Sequence, residues 1–213
     1  MTHTLYREGN RKNLSNDFIL FAVPSRNHIP GTSKNLKKFF KILLKHHPIN
    51  YGSMDIGNKY GVEKEEILAK IGDDSAIHAA FDNEKDFQSA LKEVKEADLG
   101  ISVIASGLMD RVYQLAQEIG IERHTVEYSL GIWGKIENLP DKKILEITTM
   151  CGHGMITEKI VKKLIEEVRS HKCTAKKAAE KLSANCHCGI FNTIRAEKLI
   201  KEIVLDKKYL FNS

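Results

Sequence analysis

Apolar residues follow two rhythms along this chain. Residues 17–23 (DFILFAV) form a short continuous run ended by Pro24, and residues 75–81 and 100–105 (GISVIA) repeat the pattern. Runs of that length and composition predict buried strands. Between them apolar positions recur every three or four residues. Leu36, Phe39, Phe40, Leu43 and Leu44 share one helical face, with Lys34, Lys37, Lys38, Lys41 and Lys45 opposite. Ser33 is the expected cap of that helix, and Pro48 closes it. Residues 49–61, rich in Gly, Asn and Ser, read as a loop or short strand, and 63–71 as a short helix. Asp82 or Asn83 caps a further helix with Phe87, Ala90, Leu91 and Val94 inward. Ser106-Gly107 opens another, with Leu108, Val112, Leu115, Ala116 and Ile119 inward and Gly120 as its stop. Residues 124–132 alternate polar and apolar side chains and predict a fourth strand. Residues 143–150 (KILEITTM) predict a fifth.

The texture changes after residue 150. Three helical stretches, 157–170, 174–183 and 193–205, fill the remainder. Strands alternating with helices of crossover length predict an α/β fold. Its sheet is expected to be mixed or mostly parallel, of about five strands, and covered by helices. The expected division is a core over 1–150 and a helical annex over 151–213.

Composition narrows the class. The 213 residues are 42% hydrophobic and 29% charged, which excludes disorder, collagen and coiled coil as descriptions of the whole. No apolar run reaches the roughly 18 residues of a spanning helix, and the polar N-terminus lacks the apolar stretch of a secretory signal. The expectation is a cytoplasmic protein with no membrane partner. Net charge is +5, but residues 151–213 carry +6 and the first 150 carry −1. A basic C-terminal third suits RNA, an acidic partner protein or a small anionic molecule. Lysine-rich solvent faces of helices are the simpler and favoured account of it.

The four cysteines, Cys151, Cys173, Cys186 and Cys188, all lie in that last third. Clustered cysteines in a reducing compartment point to metal or redox chemistry more than to disulfides. Cys151 sits in Met150-Cys151-Gly152-His153-Gly154-Met155, expected at the carboxyl end of the fifth strand. Cys186 and Cys188 sit in Asn185-Cys186-His187-Cys188-Gly189 between two helices. Gly152, Gly154 and Gly189 allow sharp turns and close approach. The chain lacks the paired C-x2-C knuckles of a structural zinc site. Its tight C-x-C suits two corners of an iron–sulfur cluster held by thiolates. The expected cofactor is therefore an iron–sulfur cluster, [4Fe–4S] in form, held by Cys151, Cys186 and Cys188. Zinc is the alternative, since soft thiolates bind both. A cycling C-x-C dithiol and unlinked buried thiols are the competing readings. Cys173, flanked by hydrophilic residues, is expected to be a free surface thiol. Three ligands leave one iron open as a Lewis acid for lyase, sulfur-transfer or reductive chemistry. His153 would then ligate, donate to a cluster sulfur or carry a proton there. His187, between two ligands, points away from them.

Other residues carry weaker signals. Arg26 and His28 follow the first strand, and share an edge with Cys151 if the first and fifth strands are parallel. They are the candidate contacts for an anionic substrate. Trp133, set between Gly131 and Gly134, is expected to pack in a core or wall, with a stacking platform for a base or substrate as the alternative. No G-x-S-x-G, G-x-G-x-x-G or G-x4-G-K-[ST] motif is present.

Overall fold

The computed structural model describes residues 6–24 and 30–206. Among them, five strands form one sheet: β1 (Phe18–Val23), β2 (Asn50–Ser53), β3 (Gly57–Asn58), β4 (Ile77–Phe81) and β5 (Ser102–Ser106). The helices are α1 (Arg11–Leu14), α2 (Thr32–Lys45), α3 (Lys64–Lys70), α4 (Glu84–Ala97), α5 (Met109–Glu118), α6 (Lys142–Thr148), α7 (Glu158–Arg169), α8 (Ala175–Ala184) and α9 (Thr193–Leu205).

The strand order is β3-β2-β4-β1-β5, and each neighbouring pair is antiparallel. This corrects the expected mixed or mostly parallel sheet. Helix α2 carries the chain from β1 to β2, and α4 carries it from β4 to β5. Each crossover links two strands that point the same way. Each also skips one position, and a strand of the other unit fills the gap in the opposite sense. The result is the interleaved β-α-β-β-α-β arrangement of split βαβ units, with β3 added to β2 as a hairpin.

Strand alternation sends the two sides of the sheet into different cores. Phe18, Leu20 and Ala22 of β1 pack with Ile77 and Phe81 of β4 against Leu36, Phe39 and Leu43 of α2 and Phe87 of α4. Ile19, Phe21 and Ala80 face the other way, onto Ile144, Ile147, Val161, Ile165, Leu182, Leu199 and Ile200 of α6 to α9. The C-terminal helices thus lie over the second face of the sheet.

Residues 143–148 belong to helix α6, and 149–150 to the turn after it, not to a fifth strand. Ile144, Ile147 and Met150 recur at helical spacing and are all buried, and the Asp141 side chain caps the helix by accepting from the Lys143 amide at 2.8 Å. Residues 124–132 form no strand either. The cap of α2 also differs from expectation. Gly31 precedes the helix, and Asp73 supplies the acceptor, taking the amides of Gly31 at 3.1 Å and Ser33 at 2.6 Å. A carboxylate there meets the positive end of the helix dipole. No helix among the described residues is long and apolar enough to cross a membrane.

Candidate functional site

Two loops of the C-terminal layer converge. The turn after α6 carries Cys151, closed by the Gly154 amide donating to the Cys151 carbonyl at 3.1 Å. The turn after α8 carries Cys186 and Cys188, closed by the Gly189 amide donating to the Cys186 carbonyl at 3.0 Å. The Sγ atoms of Cys186 and Cys188 stand 3.8 Å apart, and the Cys188 Sγ lies 3.6 Å from Nδ1 of His153. Cys151 is near enough to Cys186 for the two thiols to shift each other's pKa. All three thiols are buried, whereas His153 is exposed and closes the group from the solvent side. Cys151 follows a helix and not a strand, so its position comes from the end of α6.

The second loop is held from the sheet. Asn50 on β2 donates its amide to Ser183 Oγ at 2.9 Å and to the Phe191 carbonyl at 3.0 Å. Asn58 on β3 donates to the carbonyls of Ser183 at 2.8 Å and Cys186 at 2.6 Å. Both asparagines are buried. Gly189 has φ +79°, and a Cβ built there would fall on the backbone of Tyr51 and Gly52. The loop therefore rests on bare strand backbone, which only glycine permits at that distance. Just beyond it, Arg7 donates to the Ile190 carbonyl at 2.9 Å. Arg7 and Arg195 share the buried carboxylate of Asp17, at 2.8 and 2.9 Å. Asn192 caps α9 and also donates to Asp17 at 3.1 Å.

The thiols are electrostatically unequal. The neighbouring Cys186 thiol and burial hold Cys151 well above the ordinary thiol range. At Cys186 the contact with Cys151 lowers the pKa, but the Cys188 contact and burial outweigh it and push it up to about 12. Cys188 is lowered by the hydrogen bond from Cys186, against the cost of its burial. Cys188, beside the imidazole of His153, is thus the one thiol of the three whose pKa is lowered.

Of the expected site residues, Cys151, His153, Cys186 and Cys188 come together. Among the described residues no group of three or more His, Cys, Asp or Glu is arranged so that it could hold a metal ion as it stands. Cys173 is half-buried, with its Sγ 3.9 Å from a carboxylate oxygen of Glu167. His187 is exposed. Arg26 and His28 lie outside the described residues. The premise that joined them to Cys151 fails, because residues 143–148 are helical, not a strand, and the sheet is antiparallel. Trp133 is 81% exposed, which corrects the expectation that it packs in a core or wall. The lysines of the basic third are partly neutralised: Lys162 pairs with Glu158 at 2.5 Å and Lys201 with Glu197 at 2.5 Å on their own helices, and Lys181 of α8 pairs with Glu167 of α7 at 2.9 Å. Asn50, Asn58, Arg7 and Asn192 were missed as positioning residues. The available signal was asparagine inside a strand-length stretch, where its poor strand propensity needs a reason.

No protein-family model, curated protein or solved structure matches the chain.

Proposed function

We propose that Cys151, His153, Cys186 and Cys188 form a thiolate metal centre, with one tetrahedral ion, zinc foremost, as its occupant. The observation that carries this reading is the convergence of three soft or borderline donors, Cys186, Cys188 and His153, at separations of 3.8 and 3.6 Å, with the Cys151 thiol acting on Cys186 beside them. Metal–sulfur bonds of about 2.3 Å and metal–nitrogen bonds of about 2.0 Å around a tetrahedron imply edges of about 3.8 and 3.5 Å. A cluster of several irons would spread its thiolates wider. The donor chemistry fits, and what the group lacks is a shared centre. The described contacts run in a line from Cys151 to Cys186 to Cys188 to His153. Binding therefore requires Cys151 and His153 to turn inward, a movement that the flanking Gly152 and Gly154 permit.

A bound ion would supply a fixed positive charge that holds the turn after α6 to the turn after α8, with thiolate ligands deprotonated on binding. The chain's own contribution is the Asn50 and Asn58 clamp and the glycine contact, which fix the C-x-C loop before metal arrives. The [4Fe–4S] cluster expected from spacing is the competing occupant of the same thiols.

Metal, iron and sulfide analysis of anaerobically purified protein tests this, together with cobalt titration of the reduced apoprotein. One zinc per chain, and cobalt–thiolate absorption that disappears in the C186S/C188S double variant but persists in C173S, is the expected result. Iron with stoichiometric sulfide would replace the ion by the cluster. Reduced protein that takes up neither, and gives no thiolate absorption with cobalt, overturns the centre altogether.

A further inference from the structure

The turn that follows α8 holds two sulfurs side by side. The Sγ atoms of Cys186 and Cys188 are 3.8 Å apart, in contact but not bonded, and a disulfide would draw them to about 2 Å. The backbone has already brought the two residues round. The Gly189 amide donates to the Cys186 carbonyl at 3.0 Å, so residues 186–189 form a tight turn and not an extended stretch. Both thiols are fully buried on its inner side, while His187 between them is exposed. Of the bridges open to these cysteines, the one inside the turn closes the shortest loop.

The two sulfurs differ in their neighbours. Nδ1 of His153 lies 3.6 Å from the Cys188 Sγ, and His153 is exposed together with Gly152 and Gly154. Cys188 is thus one side chain below the surface, under a turn flanked by glycines. Cys186 is anchored from the sheet, where Asn58 donates to its carbonyl at 2.6 Å. A small oxidant that displaces the His153 ring meets Cys188 first, with Cys186 held beside it.

We propose that the Cys186–Cys188 pair is a site of oxidation by hydroperoxides, and that its closure to a disulfide discharges the metal ion. Oxidation of the pair stands on the thiol geometry alone, whereas discharge of the ion rests on the metal centre proposed above. In the first step the Cys188 sulfur attacks a peroxide oxygen. An S–O bond forms and the O–O bond breaks. The leaving hydroxide or alkoxide takes the thiol proton and departs as water or alcohol, and Cys188 becomes a sulfenic acid. The Cys186 sulfur then attacks the Cys188 sulfur. An S–S bond forms, the S–O bond breaks, and hydroxide leaves as water with the Cys186 proton. Two electrons pass in all from the two thiols to the peroxide. The thiolate is the form that binds metal, so closing the bridge removes two of the four donors at once. Cys151 and His153 remain, too few for a tetrahedral structural site.

The test uses the full chain with C173S, so that the outlying thiol is silent. Reduced protein is treated with hydrogen peroxide as apoprotein and after loading with cobalt. Intact mass and peptide mapping follow the bond, and cobalt–thiolate absorption follows the metal. The expected result is the loss of two hydrogens per chain, mapped to Cys186–Cys188 and reversed by dithiothreitol. In the loaded protein cobalt–thiolate absorption should be lost in step with the bridge. With C186S added, the reaction should stop at a Cys188 sulfenic acid, trapped by dimedone. Should that variant not fold, the mapped bridge of its parent carries the test. Apoprotein unchanged in mass overturns the proposal, as does a bridge mapped to Cys151. A bridge that forms while cobalt–thiolate absorption persists overturns the discharge. If the reduced protein takes up no cobalt, the metal centre and its discharge fall together, and the mass of the apoprotein still decides the oxidation site.

Discussion

The two faces of the sheet are built on different terms. The face under α2 and α4 is dry: Phe18, Leu20, Phe39, Phe40, Phe81 and Phe87 fill it, with the Phe18 and Phe87 rings stacked at 4.9 Å. The face under α6 to α9 mixes apolar residues with buried polar and thiol groups, among them Asp17, Asn50, Asn58, Arg195, Cys186 and Cys188. A dry face asks only for apolar residues of suitable volume. A polar face works only if each buried group meets its own partner. Departures from the simplest packing rule collect where a chain has a task beyond folding, and here they collect around the cysteine loops.

The largest effect should come from the polar face. Asp17→Ala leaves the guanidiniums of Arg7 and Arg195 without their shared carboxylate. Breaking a buried ion pair this way costs about 3–5 kcal/mol, read as a lowered urea midpoint. On the dry face Leu36→Ala should cost a comparable 2–5 kcal/mol by leaving a cavity. The distinction lies in the gentler substitutions and in the metal. Leu36→Met should cost less than about 1.5 kcal/mol, and neither Leu36 variant should change cobalt uptake. If Asp17→Ala falls within about 0.5 kcal/mol of the parent, as an ordinary surface change would, the contrast between the faces is lost.

Much of this architecture was legible in residue order, and the failures have physical causes. α2, α4 and α5, and strands β1, β4 and β5, follow from periodicity because each presents a full apolar stripe or run, and of these helices α4 also keeps its expected cap, Asn83. Strand direction did not follow. A crossover helix shows that two strands point the same way but not that they are neighbours, and here each pair encloses a third strand. Residues 142–148 misled because Ile144, Ile147 and Thr148 are β-branched. The helical spacing of Ile144, Ile147 and Met150 and the cap at Asp141 were the better guide. Residues 124–132 alternate like a strand but pair with none of the five strands. At the site, the convergence of Cys151, Cys186 and Cys188 followed from the clustering of cysteine and glycine. The clamp did not, because Asn50 and Asn58 matter through partners more than 120 residues away.

A medium effect separates backbone strain from crowding within the polar face. Gly189 and Gly154 both have positive φ, +79° and +69°, but Gly189 abuts the backbone of Tyr51 and Gly52 whereas Gly154 faces open space. Gly154→Ala should cost about 1 kcal/mol from φ alone, and Gly189→Ala should reach or exceed about 3 kcal/mol. Gly189→Ala should also weaken cobalt binding, since the loop must lift from β2 and carry Cys188 with it. Equal losses at the two positions would show that contact with the strand does not hold the cysteine loop.

The smallest effect tests the dry face at its rim. The Asn83 side chain accepts from the Asp86 amide at 2.9 Å and donates to the Asp86 carboxylate at 2.9 Å, so one residue satisfies the first turn of α4 from both directions. Asn83→Ala removes both bonds and should lower stability by about 1 kcal/mol, with Asn83→Asp recovering most of the amide interaction. Because α4 touches the thiol loops only through the sheet, cobalt affinity should stay at the parent value while the urea midpoint falls. A parallel loss of metal affinity would mean that the two faces communicate through β1 and β4, and that the dry layer helps to set the geometry of the cysteines.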